Sequence, residues 1–345
     1  MGVADRLADV AVARQIDLLR FDASVRARVI ALLGDLEREI VRRLSEGGEL
    51  TTFARERLNQ QLADIRGVVD GYYSRISAAS AAELQGLAQG EAEWLLQATN
   101  RAVGVEIAAA MPAAAQLARL ADDTMVQGAV MRDWWARQSQ DTAFRFATEI
   151  RMGVGTGETN SKIVARVRRA LDVSRQHAEA LTRTAVQQVA SAARQDTLQA
   201  NADIVAGQQQ VSTLDSRTTD ICMAYSGGVW DLEGKPIRGT KLPFNGGPPR
   251  HWNCRSTLIP VLKSFRELGA DFDDMPARSR ASMDGQVAGD LSFADWLKSK
   301  PPGFADDMLG KGRADLWRAG TITLQQLLDQ SGRPLSLEQL RARYA

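Results

Sequence analysis

Ten prolines are spread unevenly over the 345 residues: Pro112 alone precedes residue 235, and the other nine follow it. Proline removes an amide donor and clashes within a helix interior, so the first two-thirds of the chain is open to nearly continuous helix and the last third is not. Hydrophobic spacing agrees. Val25, Val29, Leu32, Leu33, Leu36, Ile40 and Leu44 recur at steps of three and four, with Asp22 placed as an N-cap and Gly47-Gly48 as the stop. A second helix is predicted from about Thr52, with Leu58, Leu62, Ile65, Val68, Val69, Tyr72 and Ile76 on one face, and Ala-rich segments over 81–110 and 113–150 continue in the same manner.

Gly153-Val-Gly-Thr-Gly157 interrupts this pattern and reads as a hinge or helix connector. A phosphate loop would need a preceding β-rich run and a Lys-Ser/Thr ending, and neither is there. Thr159 or Asn160 is placed to cap a helix using Ile163, Val164, Val167 and Leu171, and a further helix over 177–205 carries a small-residue face, with His177 near its start expected to face solvent or to cap it. Beyond Gly207 the texture turns to short apolar runs separated by turn residues, Ser226-Gly-Gly among them, and 256–261 reads as a strand. The expected fold class is mainly α with a small α+β domain. Its parts are a long-helix N-terminal region over 1–152, a compact domain over 153–262, and a C-terminal arm over 263–345 with short helices at 292–299, 304–318 and 336–343.

Charge narrows the function classes. With 43 basic and 42 acidic residues the net charge is +1, which argues against a chain that coats nucleic acid through bulk charge. Arg38 to Arg43 includes Glu39, and Arg166-Val-Arg-Arg169 has Glu158 and Asp172 in the flanking turns, as solvated helix faces do. Two cysteines cannot build a secreted disulfide framework, the first residues lack a signal-peptide pattern, and no stretch reaches the roughly 18 apolar residues of a membrane span. The expectation is a soluble protein made in a reducing cytoplasm, with no membrane partner.

The densest chemistry lies in two short segments holding Asp215, Arg217, Asp220 and Cys222, then His251, Cys254 and Arg255. If the intervening Gly/Pro-rich loop closes as a hairpin, Cys222 approaches the His251-x-x-Cys254 pair. Three readings fit. Cys222, His251 and Cys254 can ligate zinc, with Asp215 or Asp220 as a fourth ligand. Cys222 and Cys254 can form a disulfide. Or both cysteines are small buried hydrophobes, Asp215 and Arg217 make a turn and salt bridge, and His251 bonds a backbone carbonyl. Catalysis is a separate question: no acid is placed to orient a Cys254–His251 pair, and Asp215, Asp220 and His251 as a metal-dependent nuclease site fall short of a recognised catalytic signature.

These residues also carry a resemblance. Thr213-Leu-Asp-Ser-Arg-Thr-Thr-Asp-Ile-Cys222, Gly228-Val229 and Pro243-Phe-Asn-Gly-Gly-Pro-Pro-Arg-His-Trp-Asn-Cys-Arg255 resemble, in order and spacing, the core motif of the phage head morphogenesis (Mu F-like) minor head proteins. Upstream, Ala180-Leu-Thr-Arg-Thr184 is similar to the helix that normally precedes it. Downstream, Ala281 to Val287, Asp295-Trp-Leu297 and Leu309-Gly-Lys-Gly-Arg313 resemble the tail of many members. Thr219 and Ser256 stand where many members carry cysteine, which rules out a four-cysteine metal site and leaves three ligands. The retained Asp215, Arg217, Thr218, Cys222, Pro248, Pro249, His251, Cys254 and Arg255 are then a motif that holds a fold, with Arg217 or Arg255 bridging to Asp215.

The resemblance implies a non-enzymatic minor capsid component of the virion, present in few copies inside the head near the portal vertex and made in the host cytoplasm. It implies roles in head assembly and in DNA packaging or ejection, with no cofactor. Implied partners are the portal protein, the major capsid or scaffold protein, and packaged double-stranded DNA. The alternative is a phage-borne metal-dependent nuclease or effector using Asp215, Asp220 and His251. Trp134 and Trp135 are candidate partner anchors, since aromatic side chains dominate interface energetics, and core packing is the competing use. The C-terminal arm, acidic at Asp271 to Asp274 and at Asp306-Asp307, offers Leu309, Leu316, Trp317, Leu324, Leu327 and Leu328 to the body or to a partner.

Overall fold

A computed structural model describes residues 3–46, 48–264, 267, 280–282, 285–287 and 291–344. Asp271 to Asp274, Gly47, and Met283-Asp284 of the tail resemblance lie outside these. The chain is mainly α. In order come α1 (Val3–Glu46), a 3-10 turn at Leu50–Thr52, α2 (Arg55–Val103), α3 (Ala114–Asp123), β1 (Met125–Val126), β2 (Ala129–Val130), α4 (Met131–Gly155) and α5 (Asn160–Ala200). Then follow β3 (Val205–Val211), α6 (Asp220–Tyr225), β4 (Val229–Trp230), β5 (Pro236–Ile237), β6 (Thr257–Leu262), β7 (Arg280–Ser282) and β8 (Gly285–Val287). The chain ends with α7 (Phe293–Lys298), α8 (Pro302–Leu309), α9 (Lys311–Arg318), a 3-10 turn at Leu324–Leu327 and α10 (Leu337–Tyr344).

Two compact units emerge, one of residues 19–88 and 115–189, the other of 1–18, 89–114 and 190–345. The first is helical. Val25, Val29, Leu33, Leu36, Ile40 and Leu44 of α1 are buried as their spacing predicts, as are Leu62, Ile65, Val69 and Ile76 of α2 and Ile163, Val164, Val167 and Leu171 of α5. The α2 stripe steps to Tyr73 rather than Tyr72: Tyr73 is 2% exposed and bonds Thr142 at 2.9 Å, while Tyr72 is half-buried under Arg75. Asp22 is no N-cap, because α1 begins at Val3. It lies fully buried in mid-helix, paired with Arg26 at 2.8 Å and Arg183 at 3.4 Å. Asn160 opens α5, and its side chain takes the amide of Leu50 and gives to the carbonyls of Leu44 and Gly48, so one residue ties the turn between α1 and α2. The Gly-rich connector expected at 153–157 is shorter than its glycines imply. α4 runs through Gly155, and the break falls at Gly157, whose φ is +69°.

The second unit holds the sheet, four antiparallel strands in the order β5-β4-β3-β6. β3, buried along most of its length, is the central strand, pairing Gln208 with Trp230 of β4 and Val211 with Thr257 of β6. It begins before Gly207, where sequence texture alone placed no strand. A Cβ at Gly207 would stand 2.3 Å from the Trp230 carbonyl oxygen, so the β3–β4 approach requires glycine there. The C-terminal helices pack on this unit. Phe293, Trp296, Leu297, Leu309, Trp317, Leu324 and Leu327 share a core with Leu214 and Met223. Gly310, at φ +75°, splits the single helix expected over 304–318 into α8 and α9. Ser292 caps α7 as predicted, accepting from the Asp295 amide.

Candidate functional site

The site is assembled by strand register. Val211 of β3 lies opposite Thr257 of β6, so the residue leaving β3 and the residue entering β6 become neighbours. Ser212 and Ser256 meet at 3.0 Å between hydroxyls, and the Ser212 hydroxyl also donates to the Cys222 carbonyl at 2.8 Å. This fixes α6, the short helix carrying Cys222, over the segment 250–256. The Gly/Pro-rich loop closes as the sequence reading requires, with the Pro248–Pro249 peptide cis and both prolines buried.

Cys222, His251 and Cys254 therefore converge. The two sulfurs lie 3.5 Å apart, Cys222 Sγ is 3.3 Å from His251 Nε2, and all three ligand-type atoms lie within 4.8 Å of one another. Both cysteines are buried and unlinked, and His251 is half-buried. His251 Nδ1 sits 2.8 Å from the Trp252 carbonyl oxygen, which can only accept, so Nδ1 carries a proton and Nε2 faces the sulfurs. The Thr219 hydroxyl reaches the same Nε2 at 2.9 Å. The hydrogen bond from Cys222 draws the Cys254 thiol well below its usual range against the opposing effect of burial, with His251 adding to it. The same hydrogen bond, with burial, pushes Cys222 up, and contact with Cys254 raises His251.

Beside this cluster Arg255 grips Asp215 with two bonds, and the Arg217 amide and Thr218 hydroxyl complete the carboxylate's partners at 3.0 and 3.3 Å. Of the two arginines proposed to bridge to Asp215, Arg255 does so through its side chain, whereas Arg217 is exposed and contributes its backbone. Asp220 pairs with Arg313 of α9. Asp215 and Asp220 are thus each held by an arginine. Among the described residues the one metal-capable group contains His251 and the two cysteines and neither aspartate. A cavity of about 20 Å³ lined by Thr219, Cys222, His251, Arg255 and Ser256 opens beside Cys222 and His251, room for about one water.

Sequence reasoning missed Arg250. Its guanidinium lies 3.4 Å over the Tyr225 ring, Nε donates to Gln210 at 2.8 Å, and burial lowers its pKa to about 10. Its position just before His251 was the available signal. Of the two candidate anchors, Trp135 is 1% exposed beside Tyr73, whereas Trp134 is half-buried and donates to the Val126 carbonyl at 2.7 Å. Arg166 pairs with Glu158 and Glu149, and Arg42 and Arg43 with Glu39, so these arginines face carboxylates.

Fold and site together define a small α+β module fed by a long helix and fastened by an ion pair and a thiol–imidazole cluster. Residues 145–259, about one third of the chain, match the family model of phage Mu protein F like proteins. The resemblance carried by the motifs is therefore borne out over that segment, and it supports a phage head morphogenesis protein. No curated protein and no solved structure matches the chain. No helix of the described residues is long and apolar enough to cross a membrane.

Proposed function

We propose that this chain is a non-enzymatic minor head protein that acts in head assembly from the portal vertex, inside the head and in few copies. The observation that carries the reading is the family match over 145–259, whose motif residues are engaged in holding the fold. Asp215 is tied to Arg255, Asp220 to Arg313, and the space beside His251 has room for about one water. The helices supply docking surface, and the near-neutral charge with paired arginines favours protein partners over DNA coating. Major capsid or scaffold protein and packaged DNA are secondary partners in this reading.

Native mass spectrometry of the chain co-expressed with the portal protein of the same phage tests it. A discrete portal complex carrying a few copies of this chain is the expected result. A chain that stays apart from portal and cleaves DNA in a divalent-metal-dependent manner, with cleavage lost in Asp215→Asn, would instead establish the effector reading.

A further inference from the structure

We propose that Cys222, His251 and Cys254 form a binding site for one soft divalent cation, zinc above all, with the Thr219 side facing the fourth position. The inference stands apart from the assembly role and holds whether or not the chain acts at a phage head.

Geometry carries it. A tetrahedral zinc with ordinary bond lengths has S···S edges of about 3.8 Å and S···N edges of about 3.5 Å. Two of the three separations are close to these, 3.5 Å between the sulfurs and 3.3 Å from Cys222 Sγ to His251 Nε2, and the third, from Cys254 to His251, lies within 4.8 Å, so shifts of about an ångström or less seat the ion. The imidazole is oriented for this use. Its Nδ1–H is taken by the Trp252 carbonyl, the outer contact that metal-bound histidines usually make, and that leaves Nε2 as the ligating atom. Two thiolates and one imidazole balance a divalent charge and select soft or borderline ions over magnesium or calcium.

The fourth position is marked by Thr219, whose hydroxyl is 2.9 Å from Nε2, and by the one-water cavity it lines with Cys222, His251 and Ser256. Binding exchanges the protons shared among the two sulfurs and Nε2 for the cation, and those protons leave to solvent. The two walls of the site come from the ends of neighbouring strands, β3 through Ser212 and α6, and β6 through Cys254 to Ser256. The ion would therefore fasten α6 to the sheet and act as a structural clasp.

The test uses the full chain, reduced and stripped of metal, titrated with cobalt(II) and then zinc(II). The expected result is one cobalt per chain with a thiolate-to-cobalt charge-transfer band and the intense visible bands of a tetrahedral ion, displaced by zinc. Cys254→Ser should lose about 100-fold or more in affinity, and Thr219→Cys, which supplies a fourth thiolate, should gain about tenfold or more with a spectrum shifted toward three sulfurs. Absence of saturable binding by the reduced wild-type chain would overturn the proposal. So would binding that is unchanged in both Cys254→Ser and Thr219→Cys, or a chain isolated with a Cys222–Cys254 disulfide that takes up no metal after reduction.

Discussion

Arg255 holds both carboxylate oxygens of Asp215, 40 residues earlier in the chain, with Nη2 to Oδ1 at 2.8 Å. The pair ties the segment after β3 to the segment before β6. Burial pushes the Asp215 carboxyl up, but the two bonds from Arg255, helped by the Arg217 amide and the Thr218 hydroxyl, carry it below the usual range. A carboxyl lowered on folding contributes stability that is fully present above the unfolded value of about 4 and is lost as pH falls through the folded one. Asp215→Asn should therefore cost about 1–2 kcal/mol at neutral pH and progressively less as the pH falls into the acid range. Chemical denaturation of both proteins at pH 7 and pH 3 checks this, with the gap between them closing at the lower pH.

Glu91 is fully buried and meets Arg194, itself 2% exposed, at 2.8 Å. Arg14 joins the carboxylate at 3.2 Å, Arg194 also reaches the Thr257 hydroxyl, and the Trp94 ring lies under both arginines. Removing one partner leaves a buried charge alone, so Glu91→Gln should destabilise by about 3–5 kcal/mol. Replacing both with apolar residues, Glu91→Leu with Arg194→Met, should cost less than the single change, and a thermal-melting comparison reads the difference.

Two glycines should respond in opposite directions. Gly207→Ala places a methyl against the Trp230 carbonyl and should cost at least about 2 kcal/mol by prising β4 from β3. Gly86→Ala, exposed within α2 with no neighbour near its Cβ, should stabilise by about 0.5–1 kcal/mol. Urea midpoints measured side by side settle the signs.

Asn160→Ala removes three hydrogen bonds to the α1–α2 turn. About 2–3 kcal/mol of stability should go with them. Amide hydrogen exchange should rise first over residues 48–53.

The helical part was legible because its signal is local. The spacing of Val25 to Leu44 on α1 needs only the 3.6-residue period to predict burial, and proline placement gave the extent. Asp22 misled because a buried mid-helix aspartate and an N-cap look alike until Arg183, 161 residues away, is brought beside it. β3 was hidden because Val205–Val211 carries three glutamines and a glycine, and its strand character comes from pairing on both edges rather than from composition. Convergence of Cys222 on His251 and Cys254 was readable from the turn residues between them. The roles of Thr219 and Arg250 were not, since both depend on where α6 sits relative to the sheet.

Service at the phage head is tested by the copy number of this chain in purified, DNA-filled particles, read by quantitative mass spectrometry against portal and major capsid protein. A few copies per particle are expected, far fewer than the major capsid protein and retained through particle purification. The chain's absence from particles, together with a pool of unassociated chain in the infected cell, would contradict that role.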